Sequence, residues 1–224
     1  MTTVYFWFGG DLKESFQNNL GAVGHVSLQY GPKATDYISF WPAEAKNKMQ
    51  SWSVSSRFVS NYKEDCEEEI GRDADLKIEI NGINKALIEA FWIQFKSSVH
   101  ENREFNIHNR NCSSVVSKAL IVGSRVKDKL EVKKGNWILD HIFDDSLLTL
   151  TTIVAYLEDQ ILRLVGIRSI QEHFVNMLER LVGVYPKFLK RTYLYTYVKH
   201  QDSIWWSPYH VAFFTILLKK VFYE

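Results

Sequence analysis

The 224-residue chain carries 27 Lys and Arg against 26 Asp and Glu, a net charge of +1, with 46% hydrophobic residues. This balance provides no basic field for nucleic acid, and the length suits one sizeable core with a small appendage. Two cysteines, Cys66 and Cys112, make neither a disulfide framework nor a zinc-ligand spacing.

Met1 to Gly10 is apolar and aromatic but lacks the basic flank and small-residue cleavage pattern of a signal peptide. No apolar run reaches a membrane span, and the nearest, His210 to Tyr223, is interrupted by two lysines. The chain is therefore expected to be cytoplasmic as synthesised. Thr3-Val4-Tyr5-Phe6-Trp7-Phe8 is β-branched and aromatic and reads as a central strand, turning at Gly9-Gly10. Residues 11–20 are polar, a loop or short helix. Val23 to Tyr30 alternates, with Val26, Leu28 and Tyr30 on one face and His25, Ser27 and Gln29 on the other. Turn residues 31–36 lead to a second strand, Tyr37 to Trp41, stopped by Pro42. The two strands make an antiparallel hairpin.

Residues 43–74 read as an excursion or lid, and the acidic run at 64–69 as a solvated face. Leu76 to Ile80 alternates as a strand closed by Asn81-Gly82. From Ile83 to Val99, Leu87, Ile88, Phe91, Trp92 and Phe95 form a helical stripe. Phe105 to Ile107 is a short extended approach to a helix that Asn111 caps, that bears Cys112 in its first turn and that ends at Gly123. A basic connector, Arg125 to Lys134, leads to Trp137-Ile138-Leu139. Helices are then expected at about 147–165, from the Ser169/Glu172 capping box to about 182, after Pro186, and after Ser207-Pro208. The elements predict an α+β fold, an antiparallel sheet packed on the Cys112 helix. Residues 1–124 form its core, 125–200 a helical extension, and 201–224 a C-terminal helix packing back on the core.

The two cysteines are not equivalent. Cys112 at a helix N-terminus feels the positive end of the dipole, which favours the nucleophilic thiolate. Cys66, inside Glu64-Asp65-Cys66-Glu67-Glu68-Glu69, sits in a field that raises its pKa. A thiol nucleophile needs a base, and imidazole serves near neutral pH. His25 on its strand is the candidate. Oxyanion donors are Gln29 and the backbone N–H of Cys112, the latter favoured because helix N-termini present free donors. His100, His108, His141, His173, His200 and His210 show no metal spacing, so no metal or cofactor is expected.

The order of Gly24-His25-Val26-Ser27-Leu28 followed by Asn111-Cys112-Ser113 resembles the circularly permuted papain-like proteins. This is the permuted NlpC/P60 group, which includes lecithin:retinol acyltransferase-like enzymes and bacterial effector domains. The resemblance covers residues 3–123. Tyr37-Ile38-Ser39-Phe40-Trp41-Pro42 resembles a recurrent partner of the histidine motif, and the Trp205-Trp206-Ser207-Pro208 helix is similar to a closing helix of some members. The resemblance implies a thiol hydrolase or acyltransferase that forms an acyl-enzyme on a protein, peptide or lipid acyl substrate, and export to a host cell as an effector. It also implies an orienting residue on the second strand, where this chain has Ser39 in place of His, Glu or Asp. Asp36 and Glu79 are the alternatives. The other reading is a non-catalytic binding or membrane-docking module. Lys187, Lys190, Arg191 and Lys199, mixed with Phe188, Tyr193, Tyr195 and Tyr197, would suit weak contact with an anionic membrane or simply make an amphipathic helix.

Overall fold

The computed structural model describes residues 1–8, 24–43, 53–69, 71–102, 105–106, 109–130, 179–180, 182–184, 187–202 and 206–224. The expected turn at Gly9-Gly10, the segment 11–20, Trp137 to Leu139, the helix at 147–165, nearly all of the helix from Ser169, and His108, His141 and His173 lie outside them.

The main sheet is antiparallel, in the order β3-β2-β1-β7. β1 (Thr2–Trp7) is buried along its whole length, which is why its sequence is a continuous apolar run rather than an alternation. It pairs with β2 (His25–Gln29) on one side, Trp7 opposite His25 and Phe6 opposite Val26. On the other side it pairs with β7 (Leu76–Ile80), whose Lys77 and Glu79 point to solvent. β3 (Tyr37–Ile38) joins β2 only at Gln29 and Leu28. The single strand expected over Tyr37 to Trp41 is therefore divided at Ser39. Its second half, β4 (Phe40–Pro42), leaves the sheet to pair with β6 (Ser56–Phe58). Pro42 ends the ladder at the edge, where its missing N–H costs nothing.

The excursion at 43–74 is a structural layer in its described part. β5 (Ser53–Val54) pairs with β8 (Phe105–Asn106), and α1 (Tyr62–Glu68) is capped by Asn61, whose side chain accepts the Glu64 N–H at 3.0 Å. α1 covers the sheet face of Tyr5, Trp7 and Tyr37 with Tyr62. The acidic run is not uniformly solvated: Asp65 is 0% exposed. One residue in each turn of α1 must face the sheet, and at this turn it is a carboxylate.

The opposite face of the sheet, with Val4, Phe6, Val26, Leu28, Ile38, Ile78 and Ile80, forms the main core. α2 (Lys85–Asn102) contributes Ile88 and Trp92. α3 (Cys112–Ser124) is buried almost all round, in keeping with its small and branched residues. It does not stop at Gly123. That glycine lies in the last turn, where a Cβ would press into buried Ile88 and come within 2.9 Å of Ile83 Cγ2. Close helix packing rather than a cap explains the glycine, and Arg125 takes the left-handed C-cap at φ 52°.

After α4 (Val126–Lys129), the described C-terminal elements are α5 (Lys187–Lys199) and α6 (Pro208–Phe222). Leu194 and Tyr197 of α5 and Phe214 and Leu217 of α6 share the main core with the sheet, and α6 packs on α3, β1, β2 and β7. Tyr193 and Tyr197 pack on Phe213, so these two aromatics of α5 face inward while Lys187, Arg191 and Lys199 are exposed. Among the described residues no helix is long and apolar enough to cross a membrane.

His210 in the first turn of α6 gives the fold an acid limit. Its Nδ1 accepts the Ser207 N–H in a capping box, while Nε2 is buried without a partner among the described residues. Burial pushes its pKa from 6.5 down to about 4. The unfolded chain takes this proton at the higher value, so the stability involved is intact above 6.5 and is lost as the pH falls toward 4. At about 1.36 kcal/mol per pH unit, the parent should lose roughly 2 kcal/mol more than His210→Gln between about pH 7 and about pH 5. Urea midpoints of both proteins at the two pH values measure this, and equal losses would refute it.

Candidate active site

Three separate elements meet at one point. Asn111, extended at φ −110° and ψ 175°, caps α3: its Oδ1 accepts the Ser114 N–H at 2.8 Å, and Ser114 Oγ accepts the Asn111 N–H at 3.0 Å. Cys112 follows as the first residue of the helix. β2 begins at His25, directly after Gly24, whose φ of 72° lies in the region a side chain disfavours. From the third element, α1, Asp65 points inward.

The hydrogens can be assigned by counting. Ser39 Oγ donates its single hydrogen to Asp65 Oδ1 at 2.6 Å. At 3.1 Å from His25 Nε2 it can then only accept, so Nε2 carries a hydrogen. That leaves Nδ1 as the ring nitrogen for the thiol. Asp65 Oδ2 lies 3.5 Å from Nε2 and accepts from Tyr37 Oη at 2.7 Å, while Oδ1 also accepts from Trp41 Nε1 at 2.8 Å. Tyr37, having donated, accepts from Ser27 Oγ at 2.6 Å. Tyr37, Ser39 and Trp41 alternate along one chain segment, so an extended backbone brings all three donors to one face. The Trp41 ring also lies over the His25 ring, centroids 4.1 Å apart, with Trp7 at 5.5 Å. These π-faces favour a cationic imidazole.

Burial works against a charged His25, but the negative charges of Asp65 and Cys112 and their hydrogen bonds outweigh it and push its pKa up to about 10. Burial likewise resists ionisation of Cys112; the charge and hydrogen bond of His25, the Val26 backbone N–H and Ser113 overcome it, and the thiol pKa falls. Asp65 is held low despite burial, by His25 and by the hydroxyls of Ser39 and Tyr37. The arrangement favours a thiolate–imidazolium pair with a carboxylate behind it. Cys112 is 8% and His25 2% exposed.

Of the expected residues, Cys112, His25 and Ser39 are brought together. Gln29 is not with them: its Oε1 accepts from Tyr5 Oη at 3.0 Å and its Nε2 donates to the Gly31 carbonyl at 3.3 Å. Asp36 is held by Lys85 at 2.6 Å and closes the hairpin. Glu79 points to solvent on β7, two strands from β2. Neither carboxylate can serve His25. Asp65 was missed because it sits in a run of acidic residues that looks solvated; the local signal was three donors, Tyr37, Ser39 and Trp41, at alternate positions on one extended segment. Cys66 is half-buried, its Sγ 3.9 Å from Asp73 Oδ1, and burial, reinforced by Asp73 and Asp65, holds its pKa up. Among the described residues no group of His, Cys, Asp or Glu is arranged to hold a metal ion. No family model, no curated protein and no solved structure matches the chain.

Asp65→Asn keeps the shape, removes the charge and turns an amide donor toward Ser39 or Tyr37. It should bring the His25 titration down toward the ordinary 6.5 and destabilise the fold by about 3–5 kcal/mol. Ser39→Ala should lower the His25 value less, because Asp65 remains at 3.5 Å. NMR titration of the His25 ring with denaturant melts reads both effects, and a His25 value unmoved by Asp65→Asn would show that the carboxylate does not control the ring.

Proposed function

We propose that this chain is a cysteine-dependent hydrolase or acyltransferase acting on an amide, peptide or acyl-lipid bond, with the permuted papain-like order of histidine before cysteine. The observation that carries the reading is the alignment of Cys112, His25, Ser39 and Asp65. It supplies a nucleophile with a lowered pKa, a base in hydrogen-bonding contact with it, and a carboxylate behind a hydroxyl to hold the ring. Asp65 takes the orienting role through Ser39.

The Cys112 thiolate attacks the substrate carbonyl carbon, and the carbonyl electron pair moves onto oxygen. The backbone N–H groups of Cys112 and Ser113, in the first turn of α3 where no intrahelical acceptor reaches them, stabilise this oxyanion. The intermediate collapses, the bond to the leaving group breaks, and His25 gives that group its Nδ1 proton. Water or an amine then attacks the thioester, His25 takes the proton, and the acyl group leaves sulfur. Ser39 and Asp65 keep Nε2–H bound throughout, so the ring turns neither in its neutral nor in its charged form. The near-complete burial of Cys112 and His25 favours a second reading, a binding module that retains the fold without turnover.

The active pair requires a thiolate and a protonated ring. Activity should rise as pH climbs through the lowered Cys112 value and decline as His25 loses its proton near 10. Iodoacetamide alkylation at Cys112 should show an apparent pKa well below that of a free thiol, and His25→Ala should slow it about tenfold or more near pH 7. An ordinary thiol profile, or no change in His25→Ala, sinks the enzyme reading. Intact-mass detection of an adduct on Cys112 from a panel of acyl donors separates turnover from binding alone.

A further inference from the structure

Asn111 serves two helices. Its Oδ1 caps α3, one residue before Cys112. Its Nδ2 donates to the Trp206 backbone carbonyl at 3.1 Å, 95 residues along the chain. Trp206 directly precedes Ser207, the N-cap of α6. One buried amide thus joins the starts of two helices that are remote in sequence.

The carbonyl it reaches is well anchored. The Trp206 indole N–H donates to the Gln201 carbonyl at 2.9 Å, and its ring packs against Tyr197 and Phe214. The next residue is locked into the capping box, Ser207 Oγ accepting the His210 N–H and His210 Nδ1 accepting the Ser207 N–H. Capping α3 alone does not require an amide, since Ser or Asp supplies the acceptor equally well. The donor half of Asn111 points at α6. The Cys112 sulfur must meet the His25 ring and the Val26 N–H together, and such contacts weaken with small displacements of the first turn.

We propose that Asn111 is a positioning residue whose amide couples the docking of α6 to the placement of Cys112, making the C-terminal helix part of the machinery that sets thiol reactivity. This rests on the reading of Cys112 as the nucleophile.

Two variants and their combination test it. Asn111→Ser keeps an acceptor for the Ser114 N–H and removes the amide N–H that reaches the Trp206 carbonyl. Ser207→Ala loosens the first turn of α6 and leaves Asn111 intact. The readout is the pH profile of iodoacetamide alkylation, followed on the Cys112 peptide by mass spectrometry. Each variant should move the midpoint upward and slow alkylation near pH 7 by about threefold to tenfold. In the double variant, Ser207→Ala should add nothing to Asn111→Ser, because both act through one contact. Unmoved profiles, or effects that multiply, overturn the coupling. If Asn111→Ser fails to fold, Ser207→Ala decides alone: a shifted profile supports the coupling and an unmoved one overturns it. An ordinary thiol profile in the parent chain removes the nucleophile and this proposal together; a reactive parent with unmoved variants removes this proposal only.

Discussion

A carboxylate that reaches no water needs hydrogen bonds and an opposite charge, or its burial destabilises the fold by several kcal/mol. Asp65 has both, from Tyr37, Ser39, Trp41 and His25. Much of the architecture follows from satisfying it. α1 must dock where three donors converge, and the donors converge only if Tyr37 to Trp41 stays extended through Ser39. The same segment changes ladder partner at Ser39, from β2 to β6. Among the described residues β3 pairs with β2 only at Leu28 and Gln29, and beyond that pairing the Val26 N–H goes to Cys112. The divided strand therefore holds the carboxylate on one side and admits the sulfur on the other.

The shifts in this buried row favour alternating charge: thiolate, imidazolium, carboxylate. Each ion is strongly disfavoured by burial alone, and each is stabilised by its neighbour. Trp41 binds two members of the row, donating its indole N–H to Asp65 and laying its ring over His25. Rotation of the imidazole would break the bond to Ser39 and the stack with Trp41 together. The ring is thus fixed by Ser39, by the Trp41 stack and by the Asp65 carboxylate 3.5 Å from Nε2.

The C-terminal helices extend the core that the sheet begins. α6 lies on the same sheet face as α3, and α5 closes over α6 with Tyr193, Leu194 and Tyr197. The basic residues of α5 stay outside because its aromatic residues Tyr193 and Tyr197 are engaged within the chain. Asn111 and Trp206 join this layer to the helix that carries the thiol.

Much was legible in the amino-acid order alone, because it depends on local patterns. The continuous apolar run of β1, the alternation of β2 and β7, the Asn111 cap before Cys112, the Ser207-Pro208 start of α6 and the stripe of α2 each follow from a period or a cap confined to a few neighbours. His25 on a strand and Cys112 at a helix start were readable in the same way, as was Ser39 on the face toward His25. Asp65 was not, because an acidic residue in an acidic run looks solvated until a partner surface with matching donors is known. Nor was the division of the strand at Ser39, or the true reason for Gly123, since both depend on what packs against them from elsewhere in the chain. Residue types and their local spacing determined which elements form and where His25 and Cys112 sit on them. Only the tertiary structure decided which carboxylate stands behind the histidine, because that choice is made by three donors meeting one buried anion across 24 to 28 residues of intervening chain.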